Sequence, residues 1–174
     1  FVDPAMADGG RLYAGFGPDF PGYMRRVVAR AHVAVPNVTE ACLLTGTPYR
    51  ETEDLSWWRD LLRRVADLGP RYPVLTGVPF GPDRLGVLAL DPDTGGFFDY
   101  HTPRVHDHFH GTGDIFSAAC AGAMVRGKSL PEALRLAADF TLACIQVTCR
   151  DPNAPWYGVE FEKALHLLPG LLEG

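Results

Sequence analysis

The sequence predicts an α/β fold, a three-layer αβα arrangement around a mostly parallel sheet, and three observations carry that expectation. Short apolar segments at 32–35, 73–76 and 85–90 alternate with stretches of helical spacing, the pattern of a parallel sheet covered on both faces. Residues 54–68 place Leu55, Trp58, Leu61, Leu62, Val65 and Leu68 on one helical face, with Arg and Asp opposite. The 174 residues are 47% hydrophobic, which suits one domain with a real core.

Each element has its own signal. Residues 1–3 read as the end of a buried strand, so the single domain expected over 1–174 is N-terminally incomplete. Residues 4–22, rich in Gly, Pro and Asp, read as a loop. Residues 23–31 have helical spacing, with Met24, Val27 and Val28 on one side and Arg25, Arg26 and Arg30 on the other. Pro36 stops the strand at 32–35, and a short helix over 37–44 ends at Gly46. Strands at 85–90 and 96–101 pair around the turn Asp91-Pro92-Asp93-Thr94-Gly95. The helix expected over 112–125 is apolar nearly all round and should be buried. Ser129-Leu130-Pro131-Glu132 carries a capping box and an early proline, opening a helix that runs to about Thr148. A last helix is expected over 161–168.

Composition removes several functions. A net charge of −5 argues against a nucleic-acid surface. No apolar run reaches the length of about 18 residues that a membrane span needs. Cys42, Cys120, Cys144 and Cys149 form no C-x-x-C pair and read as buried thiols of a reducing cytosol. There is no G-x-S-x-G elbow, no Walker A sequence, and no G-x-G-x-x-G after a strand.

Chemistry concentrates in three places. In Gly111-Thr112-Gly113-Asp114, glycines let backbone N–H groups crowd around an anion where a helix starts. Asp114 would repel that anion unless it takes a proton from an attacking hydroxyl; the plainer alternative is a helix cap. Asp3 and Asp8 flank the first loop, and hard oxygens there suit magnesium beside phosphates, or merely a solvated turn. Asn37-Val38-Thr39-Glu40 follows the next strand. Asn37 and Glu40 can form a capping box, or lie near phosphate and a magnesium-bound water. Thr76 offers a hydroxyl at the same edge. His101, His106, His108 and His110 crowd one loop, where zinc or nickel is the minor alternative to ordinary surface histidines.

Asp3-Pro4-Ala5-Met6-Ala7-Asp8, Pro36-Asn37-Val38-Thr39-Glu40-Ala41 and Gly111-Thr112-Gly113-Asp114 occur in that order. Together with Trp156-Tyr157-Gly158-Val159-Glu160-Phe161-Glu162, they resemble the ribokinase superfamily and, within it, the pyridoxal/pyridoxamine kinases. The resemblance implies a cytoplasmic, homodimeric, ATP-dependent kinase that phosphorylates the hydroxymethyl group of a vitamin B6 pyridine. A hydroxymethylpyrimidine or other small-alcohol kinase, or a nucleotide-binding fragment without turnover, is the alternative. By the same likeness Asp114 is the general base and Gly111, Thr112 and Gly113 form the anion hole. Asp8 and Glu40 organise Mg2+, while Asp3, Asn37, Glu40 and Thr76 line the ATP phosphates. Val105 and Phe109 border the adenine. The pyridine pocket of such kinases comes largely from first βα units that precede residues like these.

Overall fold

A computed structural model describes residues 1–107 and 109–173. The chain forms two compact units, Phe1–Asp99 and Tyr100–Gly174.

In the first unit, a two-residue strand β1 (Ala7–Asp8) pairs antiparallel with β2 (Arg11–Leu12). Helix α1 (Phe20–Val28) follows, then β3 (Val33–Ala34), α2 (Val38–Thr45), α3 (Leu55–Ala66), β4 (Tyr72–Pro79) and β5 (Arg84–Leu90). Strand β6 (Phe97–Pro103) carries the chain into the second unit. The larger sheet has the order β3-β4-β5-β6. Strand β3 is parallel to β4, and Val2 bridges to Ala34 in parallel on the other side. Residues 1–3 are thus tied to the sheet as a strand end.

The rest of the sheet corrects the expectation of mostly parallel pairing. Strand β5 runs antiparallel to β4, and β6 is hydrogen-bonded beside β5. The connections explain this. Phe80 N–H donates to the Arg84 carbonyl at 3.0 Å, and Asp91 N–H to Gly96 at 2.9 Å. Turns this tight cannot hold the long crossover that a parallel pair requires. Gly77, at φ +68°, is the extra residue where the β4–β5 register shifts between Thr76 and Val78.

Helices α2 and α3 build a core on β4 and β5. Val38, Ala41 and Cys42 meet Trp58, Leu61, Leu62 and Val65 over Leu75, Val78 and Leu88. The apolar face anticipated for 54–68 is the face buried, and Asp54 caps it by accepting from Ser56 N–H at 2.9 Å. Leu62 is 0% exposed. We expect Leu62→Ala to cost about 2–5 kcal/mol in denaturant unfolding, because a close-packed site relaxes only partly around the lost atoms. A loss well under 1 kcal/mol would mean this cluster is not the core.

Other boundaries moved. The loop expected over 4–22 contains the β1–β2 hairpin and the start of α1. Gly9 and Gly10 have φ of +55° and +78°, the left-handed pair that a tight two-residue hairpin demands. Helix α1 begins early because Pro21 presets its first turn. Its Val28 is buried, but Val27 is 49% exposed, so Val27 does not share the core side.

The second unit contains α4 (Thr112–Val125), α5 (Leu130–Arg150), a 3-10 helix (Phe161–Leu167) and α6 (Leu168–Glu173). The helix expected over 161–168 is therefore two pieces, the first wound more tightly. Glu132 accepts from Ser129 N–H at 2.8 Å, as the capping box requires. Phe140, Cys144, Val159 and Ala164 form the core, with Phe109 and Ile115 packed against it. Helix α4 is not buried all round. Its buried residues are Phe116, Cys120 and Ala123, one stripe at helical spacing, while Val125 is 88% exposed.

All four cysteines are free. Burial pushes the Cys42 and Cys144 thiols up to about 11 and Cys120 to about 12, so these three are inert at neutral pH. Cys149 departs from the expectation of burial and is exposed. Among the described residues, no helix is long and apolar enough to cross a membrane.

Candidate active site

The carboxyl ends of neighbouring parallel strands bring one set of expected residues together. Asn37 bridges to Thr76 in parallel, and Thr76 N–H donates to the Pro36 carbonyl at 3.0 Å. Val2 is bonded to the other side of β3 through Val33 and Val35, which sets Asp3 just past the same end of the sheet. Open α/β sheets bind ligands at this edge. Asp3, Asn37 and Thr76 are each half-buried.

Glu40 is the most constrained of these side chains. It is 2% exposed. One carboxylate oxygen accepts from Met6 N–H at 3.0 Å and Ala7 N–H at 3.4 Å, and the other accepts from Asn37 N–H at 2.8 Å. Asn37 answers by accepting from Glu40 N–H at 2.9 Å and donating to the Ala7 carbonyl at 2.7 Å. The capping box foreseen at 37–40 is present, and it reaches further than foreseen. It binds the start of α2 to the loop that runs from Asp3 to Asp8. Burial pushes the Glu40 carboxyl from its ordinary 4.5 to about 7, against the backbone donors and with help from the Asp3 charge.

Asp8 is exposed, and its carboxylate accepts from Gly9 N–H at 2.8 Å. Among the described residues, no group of three or more His, Cys, Asp or Glu could hold a metal ion. A zinc or nickel centre in the histidine loop gains no support from this, and His108 lies outside the described residues. Magnesium is a different case. It keeps several waters and binds through one or two carboxylates plus substrate phosphates, so it needs no all-protein cage. Exposed Asp8 is a carboxylate of the kind that such an ion can reach. Glu40, already bonded through both oxygens, fits contact through water better than direct ligation.

In the second unit, the Gly111–Asp114 segment opens α4. Gly111 is the N-cap at φ +79° and, having no side chain, adds no cap hydrogen bond of its own. Ile115 N–H donates to the Gly111 carbonyl at 3.1 Å, so the amides of Thr112, Gly113 and Asp114 belong to the first turn, which has no intrahelical acceptors. Gly113 is exposed, and a Cβ there would meet nothing within 4 Å. An anion can therefore approach the backbone closely, with the helix dipole in its favour. Asp114 stands exposed in this turn. The N-cap position belongs to Gly111, so Asp114 lies inside the helix and is not its N-cap, as the plainer alternative had it.

Val105 and Phe109 are half-buried. Phe109 also lines a cleft of about 260 Å³ with His110, Thr148, Cys149 and Trp156. Sequence reasoning missed Thr148 and Cys149, which sit at the far end of α5 and carry no local motif. It also missed Thr39, whose hydroxyl accepts from Gly10 N–H at 3.0 Å. The adjacent glycines Gly9 and Gly10 were the signal that a hairpin turn needed such an anchor.

A helix start with open amides lies in the second unit and an acid-lined strand edge in the first, both on an α/β scaffold. Residues 2–154 match the phosphomethylpyrimidine kinase family, and the chain belongs to that family, among the kinases of the ribokinase superfamily. Its relatives divide by substrate. It is 31% identical over 123 residues to a hydroxymethylpyrimidine/phosphomethylpyrimidine kinase of Streptomyces coelicolor, covering 69% of this chain and 43% of that protein. It is 32% identical over 153 residues to the pyridoxal kinase PdxY of Rubrobacter xylanophilus, covering 85% and 51%. A crystal structure of a protein described as a phosphomethylpyrimidine kinase, from Bacteroides thetaiotaomicron in a form with pyridoxal, superposes with a TM-score of 0.89. That match has 32% identity and covers 96% of this chain and 59% of the other. The fold is ribokinase-like, and the chain spans about half the length or less of these curated relatives. The likeness to pyridoxal/pyridoxamine kinases alone thus widens to a family that contains both pyridine and pyrimidine kinases.

Proposed function

We propose that the protein transfers the γ-phosphoryl group of ATP to the 5′-hydroxymethyl group of a B6 vitamer: pyridoxamine, pyridoxal or pyridoxine. The observation that carries this reading is the start of α4, where first-turn amides, an open Gly113 and an exposed Asp114 occupy one helical turn. Phosphoryl transfer needs positioning and charge neutralisation more than covalent chemistry. Asp114 takes the proton of the acceptor hydroxyl as the hydroxyl oxygen attacks the γ-phosphorus, and the bond from that phosphorus to the bridging oxygen breaks to release ADP. The amides of Gly111, Thr112 and Gly113 face the negative charge that spreads over the transferring oxygens. Asp3, Asn37, Glu40 and Thr76 line the phosphates, and Val105 and Phe109 border the adenine. Asp8, with Glu40 through water, would hold Mg2+. That ion, when bound, neutralises phosphate charge. A cytoplasmic homodimer is part of the same reading.

A second reading has its own support. The family match and the Streptomyces coelicolor relative favour a hydroxymethylpyrimidine acceptor. The two readings share donor, base and anion hole, and differ only in the ring that presents the alcohol. Side-by-side kcat/KM values for the full-length protein on pyridoxamine, pyridoxal, pyridoxine, hydroxymethylpyrimidine and its monophosphate separate them. We expect a B6 vitamer to lead by about 10-fold or more, roughly one lost or gained polar contact in free-energy terms. A pyrimidine in the lead would replace the first reading with the second.

A further inference from the structure

We propose that Tyr49 and Thr39 are positioning residues for Asp8, clamping the β1–β2 turn from two sides so that the carboxylate beside it is held in place. The proposal rests on the reading of Asp8 as a magnesium contact.

Asp8 is exposed, so side-chain packing does not fix it. The backbone of the turn sets where its carboxylate stands. Asp8 pairs with Arg11 across the hairpin, and Gly9 and Gly10 form the turn between them. The two glycines share a left-handed backbone but not their surroundings. A Cβ on Gly9 would meet nothing within 4 Å. A Cβ on Gly10 would lie 2.9 Å from Cδ1 and 3.2 Å from Cε1 of Tyr49. The Tyr49 ring therefore lies directly on Gly10. From the other direction, Gly10 N–H donates to the Thr39 hydroxyl at 3.0 Å, and Thr39 is 3% exposed.

Both arms of the clamp come from the two ends of α2. Thr39 lies in its first turn, beside Asn37 and Glu40, which hold Met6 and Ala7. Tyr49 follows its C-terminus. Gly46, at φ +70°, stops the helix, and Thr47 N–H closes on the Cys42 carbonyl at 2.9 Å. The hydroxyls of Thr45 and Thr47 meet at 2.8 Å. That tight exit fixes the start of the segment bearing Tyr49.

The capping-box bonds at Met6 and Ala7 fix the strand before Asp8, while the Tyr49–Thr39 pair fixes the turn after it. An acid held only from one side would sweep through a range of positions. Held from both, it presents its free oxygen to a hard cation at low entropic cost.

The test uses the full-length protein and Mn2+ with ADP, with metal affinity read by electron paramagnetic resonance and Gly10 amide exchange read in parallel. We expect Tyr49→Ala to speed Gly10 exchange and weaken Mn2+ about 10-fold, as loss of a supporting partner does at metal sites. Tyr49→Phe should restore both, since the ring and not the hydroxyl covers Gly10. Gly9→Asn should behave as wild type, whereas Gly10→Asn should weaken Mn2+ and regain part of the loss when combined with Tyr49→Ala. Wild-type exchange and Mn2+ affinity in Tyr49→Ala would overturn the clamp. Faster exchange with unchanged Mn2+ affinity would overturn its service to Asp8. A wild-type protein that binds Mn2+ with ADP in this Tyr49-dependent way, yet transfers no phosphate, would sink the kinase reading and leave the clamp standing.

Discussion

Replacing Asp114 with Asn is expected to reduce kcat by about 100- to 10,000-fold, the range over which a positioned general base acts, while KM for ATP and for the acceptor alcohol stays near wild type. Asn has the shape of Asp and keeps its polar tip, but it cannot take a proton. Structure makes this a clean experiment. Asp114 is exposed in the first turn of α4. A carboxylate in the first turn favours the helix dipole by about 0.3–1 kcal/mol, so the variant should melt within a few degrees of wild type. A folded variant with wild-type kcat would remove Asp114 from the chemistry. A raised KM with unchanged kcat would make it a binding group instead.

The second large effect concerns Glu40 and pH. Its carboxyl titrates near 7 in the folded chain against an ordinary 4.5. Between those values the folded protein binds a proton that the unfolded chain does not, so stability falls as pH rises. The contribution is fully present below about pH 4.5 and is lost through pH 7. A shift of this size corresponds to at most about 3 kcal/mol. Urea unfolding from pH 5 to 8 should show this decline in the wild type. Glu40→Gln should flatten it while costing about 1–3 kcal/mol, because the amide group of Gln cannot accept from a backbone donor that the carboxylate now serves. Asp3→Asn should shift the decline toward lower pH, since the Asp3 charge helps hold the proton on. A wild-type curve without slope in this window, or a slope that survives in Glu40→Gln, would contradict the assignment of a buried, proton-retaining carboxyl.

Helices were legible wherever a stripe and its caps agreed. Residues 54–68 revealed α3 because Trp58, Leu61, Leu62 and Val65 repeat at helical spacing. The bounds of α4 followed from Gly111 and the apolar run after it. Its burial did not follow, because small residues such as Ala118 and Gly122 look apolar in sequence without demanding a partner. Sheet direction was misjudged for a related reason. Apolar strands look the same whether parallel or antiparallel; the turn at 91–95 announced the pairing of β5 with β6, whereas the tight connection at 80–83, which decides β4 against β5, carried no such signal. Asn37 and Glu40 announced their capping box through spacing alone. Their grip on Met6 and Ala7, more than thirty positions earlier, has no local signature. The contact of Tyr49 with Gly10 likewise depends on how the chain leaves α2.

The most direct test of the account follows labelled γ-phosphate from ATP in the full-length protein, with and without a hydroxymethylpyridine acceptor. The account predicts acceptor-dependent ADP release, with the label on the 5′-hydroxymethyl oxygen and its appearance slowed about 100-fold or more in Asp114→Asn. Nucleotide binding with no acceptor-dependent release of ADP, across pyridine and pyrimidine alcohols alike, would contradict it.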